Sequence, residues 1–182
     1  MTILRYGLIC VVLVLTACGQ RELEPDEPIN NDTSERWNKA QDPFRIHGNT
    51  WYVGTAGLSS ILVETDDGLI LIDGGLPQSA PLIDTNIRNL GFDTLDVKAI
   101  LVSHAHYDHV GGIAALQRYT DATVFASQLA LEPLMNGRLT VDDPQYVADS
   151  DQGDFPAVRQ VAAVGDGEVV TVGSVDVKAV YT

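Results

Sequence analysis

Three of the four histidines in this 182-residue chain fall within six positions, directly after an apolar run. Val97 to Ser103 reads as a buried strand. Residues 103 to 112 then spell Ser103-His104-Ala105-His106-Tyr107-Asp108-His109-Val110-Gly111-Gly112, and a helix is expected from about Ile113 to Tyr119. This order sets the polar groups on a loop held between a rigid strand and a helix. Imidazole and carboxylate are the usual non-thiolate zinc ligands. His104 and His106 are two apart, so in extended backbone they point the same way and can bind one metal. Asp108 and His109 come as the loop turns and can reach a second.

The flanking sequence alternates strands and helices. Trp51 to Val53 and Ile61 to Val63 read as strands, and Asp67-Gly68 is a hairpin signal leading into the strand Leu69 to Asp73. Gly74-Gly75 breaks that strand. Ser79 and Pro81 open a helix in which Ile83, Ile87 and Leu90 recur at helical spacing, and Gly91 stops it. Thr123 to Ala126 is expected as a strand, and Ser127 as the cap of a short helix ended by Asn136-Gly137. Residues 138 to 160 are irregular and rich in Asp. Val169 to Val172 and Val175 to Val180 look like a last hairpin. The chain is a strand-rich α/β protein.

The first residues have a different character. One positive charge, Arg5, precedes the apolar run Leu8 to Leu15, which is too short for a membrane span of roughly 20 residues and reads as a signal peptide. Its end, Leu15-Thr16-Ala17-Cys18-Gly19, resembles the lipobox of bacterial lipoproteins, in which the cysteine becomes the lipidated first residue. By the same resemblance, Gly19 after the cysteine implies the outer membrane of a Gram-negative cell. We therefore expect export, a periplasm-facing location and an N-terminal lipid anchor. Residues 18 to 43 are polar and acidic and are expected to be a flexible tether, with the domain at 44 to 182. Cys10 lies in the removed segment, so no disulfide framework is expected. The formal charge of -14 opposes a broad nucleic-acid footprint.

The loop resembles the H-x-H-x-D-H signature of the metallo-β-lactamase superfamily. Gly48 to Thr55, Gly57 to Val63, Asp67 to Gln78, Gly91-Phe92 and Asp142-Asp143-Pro144-Gln145 look like the third subclass of the class B β-lactamases, as does His109 itself. The resemblance implies an αββα sandwich, of which only the first half and the start of the second are present. It implies two zincs, His104 and His106 being two ligands of the first, and Asp108 and His109 two ligands of the second. The implied reaction is hydrolysis of β-lactam antibiotics, with Asp108 orienting the attacking hydroxide and no Ser or Cys nucleophile. Asp73, ending the Ile72-Asp73-Gly74-Gly75 motif, is implied to be a buried structural acid rather than a ligand.

The sequence departs from that family in one respect. Each zinc should have a third histidine, and the chain offers only His47, which precedes the first predicted strand and is expected on the surface. The chain is therefore expected to be a C-terminally truncated domain with little activity by itself, and otherwise a monomer. Two other readings stand beside this one: a superfamily hydrolase of lactones or thioesters, and a non-enzymatic lipoprotein.

Overall fold

The computed structural model describes residues 22–151 and 153–182, so the signal segment and Cys18 lie outside the described residues. Seven strands form one sheet in chain order: β1 (Phe44–His47), β2 (Thr50–Tyr52), β3 (Ile61–Thr65), β4 (Gly68–Ile72), β5 (Val97–Leu101), β6 (Thr123–Ala126) and β7 (Val161–Ala163). Short turns join β1 through β4, so these strands run antiparallel. The next three connections carry helices, and β4, β5, β6 and β7 run parallel. Those helices are α2 (Ala80–Asn89), the pair α3 (Tyr107–Val110) and α4 (Ile113–Thr120), and α5 (Leu131–Asn136), with α1 (Asp32–Trp37) preceding the sheet. A hairpin of β8 (Val169–Val172) and β9 (Val175–Lys178) follows.

Side chains alternate across the strands, and both faces of the sheet are covered, as parallel strands require. Leu62, Leu71, Ile100 and Val124 pack with Ile83 and Ile87 of α2, Ile113 and Leu116 of α4 and Leu134 of α5. On the opposite face Val63, Ile70 and Ala99 meet Val170 and Val172 of β8. Leu62, Ile70, Leu71 and Ile100 are fully buried, each contributing about 2 kcal/mol of burial. The layers run helices, sheet, then hairpin, which agrees with the first part of an αββα sandwich.

The structure differs from the sequence reading at the N-terminus. The described part of the expected tether lies against the domain. Leu23 packs on the core. Gln78 exchanges two hydrogen bonds with the backbone of Ile29, and Arg118 pairs with Asp26 at 2.9 Å. Asn31 caps α1 by accepting from the Thr33 and Ser34 amides, and the Trp37 carbonyl then accepts from Thr55 Oγ1 at 2.7 Å. High polarity concealed these anchors, because the partners Gln78, Arg118 and Thr55 lie far along the chain from the groups they hold.

Strands β1 and β7 and helices α1 and α3 were also not foreseen. All four residues of β1 are exposed, so no buried face marks it in the sequence. Strand β7 has three residues and follows the irregular acidic stretch, too short for a period to register. The last strand ends at Lys178, two residues earlier than expected. Ser127 makes no side-chain cap; a 3-10 turn at Gln128–Ala130 leads into α5 instead.

Candidate metal centre

The centre lies at the carboxyl ends of the parallel strands β4 and β5. The Asp73 amide donates to the Leu101 carbonyl at 2.9 Å, which aligns the two strand ends. From there the chain turns through Ser103 to His106 and closes the single turn α3, in which the His109 and Val110 amides donate to the His106 carbonyl. The Gly74 amide donates to the His109 carbonyl at 2.7 Å, tying this turn to the loop after β4. A Cβ on Gly112 would lie 2.4 Å from the Gly74 carbonyl oxygen, and one on Gly111 2.4 Å from Pro77 Cδ. The two glycines are thus needed for backbone to meet backbone beneath the histidines.

The three predicted histidines come together. The His104 ring lies 4.6 Å from that of His106 and 4.1 Å from that of His109, centroid to centroid. Asp73 is 7% exposed and accepts from the Ser103 amide at 2.9 Å, from Ser103 Oγ at 2.7 Å and from His109 Nδ1 at 2.9 Å. Because the Ser103 hydroxyl proton goes to Asp73, Ser103 Oγ accepts from His104 Nδ1 at 3.1 Å. His106 donates through Nε2 to Asp143, 3.0 Å away at Oδ2. Each ring therefore engages one nitrogen with a neighbour. The lone pairs left over are on His104 Nε2, His106 Nδ1 and His109 Nε2, the last 3.7 Å from Asp108 Oδ2.

Electrostatics separate the rings. Burial, reinforced by the adjacent His109 and His106, lowers the His104 pKa and favours its neutral form. The hydrogen bond to Asp73 raises that of His109. Partial burial alone would push the Asp143 carboxyl up. Hydrogen bonds from the Gln145 amide and His106 outweigh it and hold that group below the ordinary aspartate range.

An open cleft of about 1270 Å³ adjoins the centre, lined by Ser103, His104, Leu129, Leu139, Asp143 and Tyr146 among others. Of the four predicted ligands, His104 is the one that borders it. Among the described residues, no three His, Cys, Asp or Glu side chains converge closely enough to hold a metal ion. The donor chemistry fits zinc as pairs: two imidazoles at His104 and His106, and a carboxylate with an imidazole at Asp108 and His109. His47 is exposed at the end of β1, as expected, and remote in topology from this centre. Ser103 and Asp143 were not singled out by the sequence. Ser103 has an adjacent signal in the motif, whereas Asp143 stood in the Asp142-Asp143-Pro144-Gln145 resemblance without a role, because its partner lies 37 residues away.

The chain belongs to the metallo-beta-lactamase superfamily, whose family profile matches residues 54–180. It is similar to the solved structure of Rm3 metallo-beta-lactamase, at 47% identity and a TM-score of 0.79, over 84% of this chain and 55% of that one. It is also similar to MEM-A1, a subclass B3 metallo-beta-lactamase isolated from a soil metagenome library, at 49% identity and a TM-score of 0.76, over 80% of this chain and 54% of that one. A probable metallo-hydrolase of Bacillus subtilis, YflN, is 29% identical over 108 residues, 59% of this chain and 39% of its own length. The chain thus spans about half the length of the solved structures that it matches.

Proposed function

We propose that the protein is a zinc-dependent β-lactamase of the third subclass, hydrolysing the β-lactam amide. The observation that carries this reading is the set of three adjoining imidazoles, each with one nitrogen held by a neighbour and one left free. Similarity near 47% to β-lactamases supports the choice of substrate. In this reading His104 and His106 hold one zinc, and Asp108 and His109 hold another. Bound zinc supplies a nucleophile near neutral pH by acidifying water and polarises the scissile carbonyl.

The chain's own residues do the rest. His104, kept neutral by burial, has a lone pair available for metal. Asp73 fixes His109 from behind, so that Nε2 faces the centre beside Asp108. The Asp108 carboxylate orients the attacking water. Water adds across the C–N bond, the carbonyl carbon becomes a carboxylate, and the ring nitrogen leaves with a proton. The cleft beside His104 takes the rest of the substrate, with Leu129 and Leu139 facing its apolar parts.

The test is turnover of a chromogenic cephalosporin by the protein as its gene encodes it, with and without chelator. Chelator-sensitive turnover restored by added zinc is expected. Hydrolysis of a lactone or thioester with none of the cephalosporin would move the protein to another hydrolase class, and turnover of neither would favour a binding lipoprotein.

We also propose that Cys18 is lipidated and anchors the protein on the periplasmic side of the outer membrane. No described helix is long and apolar enough to cross a membrane, and several acyl chains on one cysteine would anchor stably. Cys18→Ser is expected to remove the protein from the membrane fraction or leave its signal segment uncleaved. A variant that fractionates and migrates like the parent would end this reading.

A further inference from the structure

Residues 138 to 160 read as an irregular stretch rich in Asp, yet one of its carboxylates reaches the histidine cluster. Asp143 Oδ2 lies 3.0 Å from His106 Nε2 and Oδ1 lies 3.2 Å from it, although 37 residues separate the two. The carboxylate is itself held. Its Oδ1 accepts from the Gln145 amide at 2.8 Å, the Asp143 amide donates to the Thr140 carbonyl, and the Asp143 carbonyl accepts from the Tyr146 amide, both at 3.0 Å. Pro144 restricts the Asp143 backbone further. Both side chains are only partly exposed, at 19% for His106 and 23% for Asp143.

We propose that Asp143 is a positioning residue for the metal centre: by accepting from His106 Nε2–H it locks the ring so that Nδ1 faces the metal. This deepens the reading of His106 as a zinc ligand and rests on it. Among the four candidate ligands, His106 is the one that this loop supports; His104 and His109 lean on Ser103 and Asp73 instead. A carboxylate behind a ligating imidazole fixes tautomer and ring orientation and raises ligand basicity, and its removal commonly costs about 10- to 100-fold in metal affinity. Because the carboxylate sits on a loop that also lines the cleft, ordering of that loop and ordering of the metal site are coupled.

The experiment measures zinc affinity by competition with a chromophoric chelator, on the protein as its gene encodes it, for the parent and five variants. Asp143→Ala is expected to weaken zinc about 10- to 100-fold. Asp143→Asn, which keeps an oxygen for the Gln145 amide and so preserves the turn, should still weaken it. Asp142→Ala removes the same charge from the exposed neighbouring position and should leave affinity unchanged. In a His106→Ala background, Asp143→Ala should have no additional effect, which separates action through His106 from a general effect on the loop. The visible bands of the cobalt-substituted protein should shift in Asp143→Ala and stay put in Asp142→Ala. Unchanged affinity in Asp143→Ala, an equal loss in Asp142→Ala, or a full further loss in the His106→Ala background would overturn the proposal. If His106→Ala lowers affinity while Asp143→Ala does not, this inference alone fails. Zinc affinity indifferent to His106→Ala would overturn the metal centre along with it.

Discussion

Under the proposed function, His106→Ala is expected to abolish chelator-sensitive β-lactam turnover and to lower the zinc content of the protein. His106 combines two properties that no other residue replaces. Its ring lies beside that of His104 with Nδ1 free, and its carbonyl is the acceptor on which the α3 turn closes. Alanine keeps the backbone acceptor and removes only the ring, so the fold is expected to survive. The first zinc would retain His104 as its sole donor among the proposed ligands. A metal worth several kcal/mol in the transition state implies a loss on the order of 10³-fold or more when it is not held. Zinc stoichiometry by atomic emission, together with turnover of the same preparation, checks this. Parental stoichiometry and rate in the variant would refute the ligand assignment.

A second large effect is expected at Asp73. Its carboxylate accepts three hydrogen bonds in a nearly closed site, from the Ser103 amide, Ser103 Oγ and His109 Nδ1. Its backbone adopts φ 59°, a left-handed conformation that aspartate tolerates better than most residues. Asp73→Ala would strand these donors and leave alanine in that conformation. A destabilisation of about 3 kcal/mol is expected from the lost charge-assisted bonds, with a further contribution from the backbone. Asp73→Asn, which keeps one acceptor oxygen, should fall between. Urea denaturation of the metal-free proteins measures both, and a midpoint within error of the parent for Asp73→Ala would contradict the bracing role.

The same pair predicts a dependence on pH. The Asp73 hydrogen bond raises the His109 pKa in the folded protein. The associated stability is therefore fully present below the unfolded histidine value and is lost as pH rises through the raised folded one. Asp73→Ala should flatten that part of the stability profile in metal-free protein. Zinc must displace the proton that His109 takes up on Nε2 when it becomes charged, so zinc affinity in the parent should fall as pH drops through the same range.

The sequence by itself determined the secondary elements with a strong apolar period and the identity of the residues at the loop. The strands around Leu62, Leu71, Ile100 and Val124 and the helices carrying Ile83, Ile87, Ile113 and Leu116 are marked by their own local patterns, because each buries one face and no distant contact is needed to see it. The motif from Ser103 to Gly112 was legible for the same reason, since its histidines and aspartate are neighbours along the chain. Tertiary structure alone decided the rest. It set the all-exposed edge strand β1 and the three-residue β7, which take their conformation from pairing with β2 and β6 respectively rather than from a period of their own. It laid the acidic N-terminal segment on the domain through Leu23, Asp26 and Ile29, although composition marked that segment as a tether. It also chose which ring nitrogen of each histidine faces outward, because that follows from Asp73, Ser103 and Asp143, carboxylates and a hydroxyl contributed by different parts of the chain. Spacing in sequence can bring imidazoles to one loop, but the acceptors behind them are placed by strand register and loop packing.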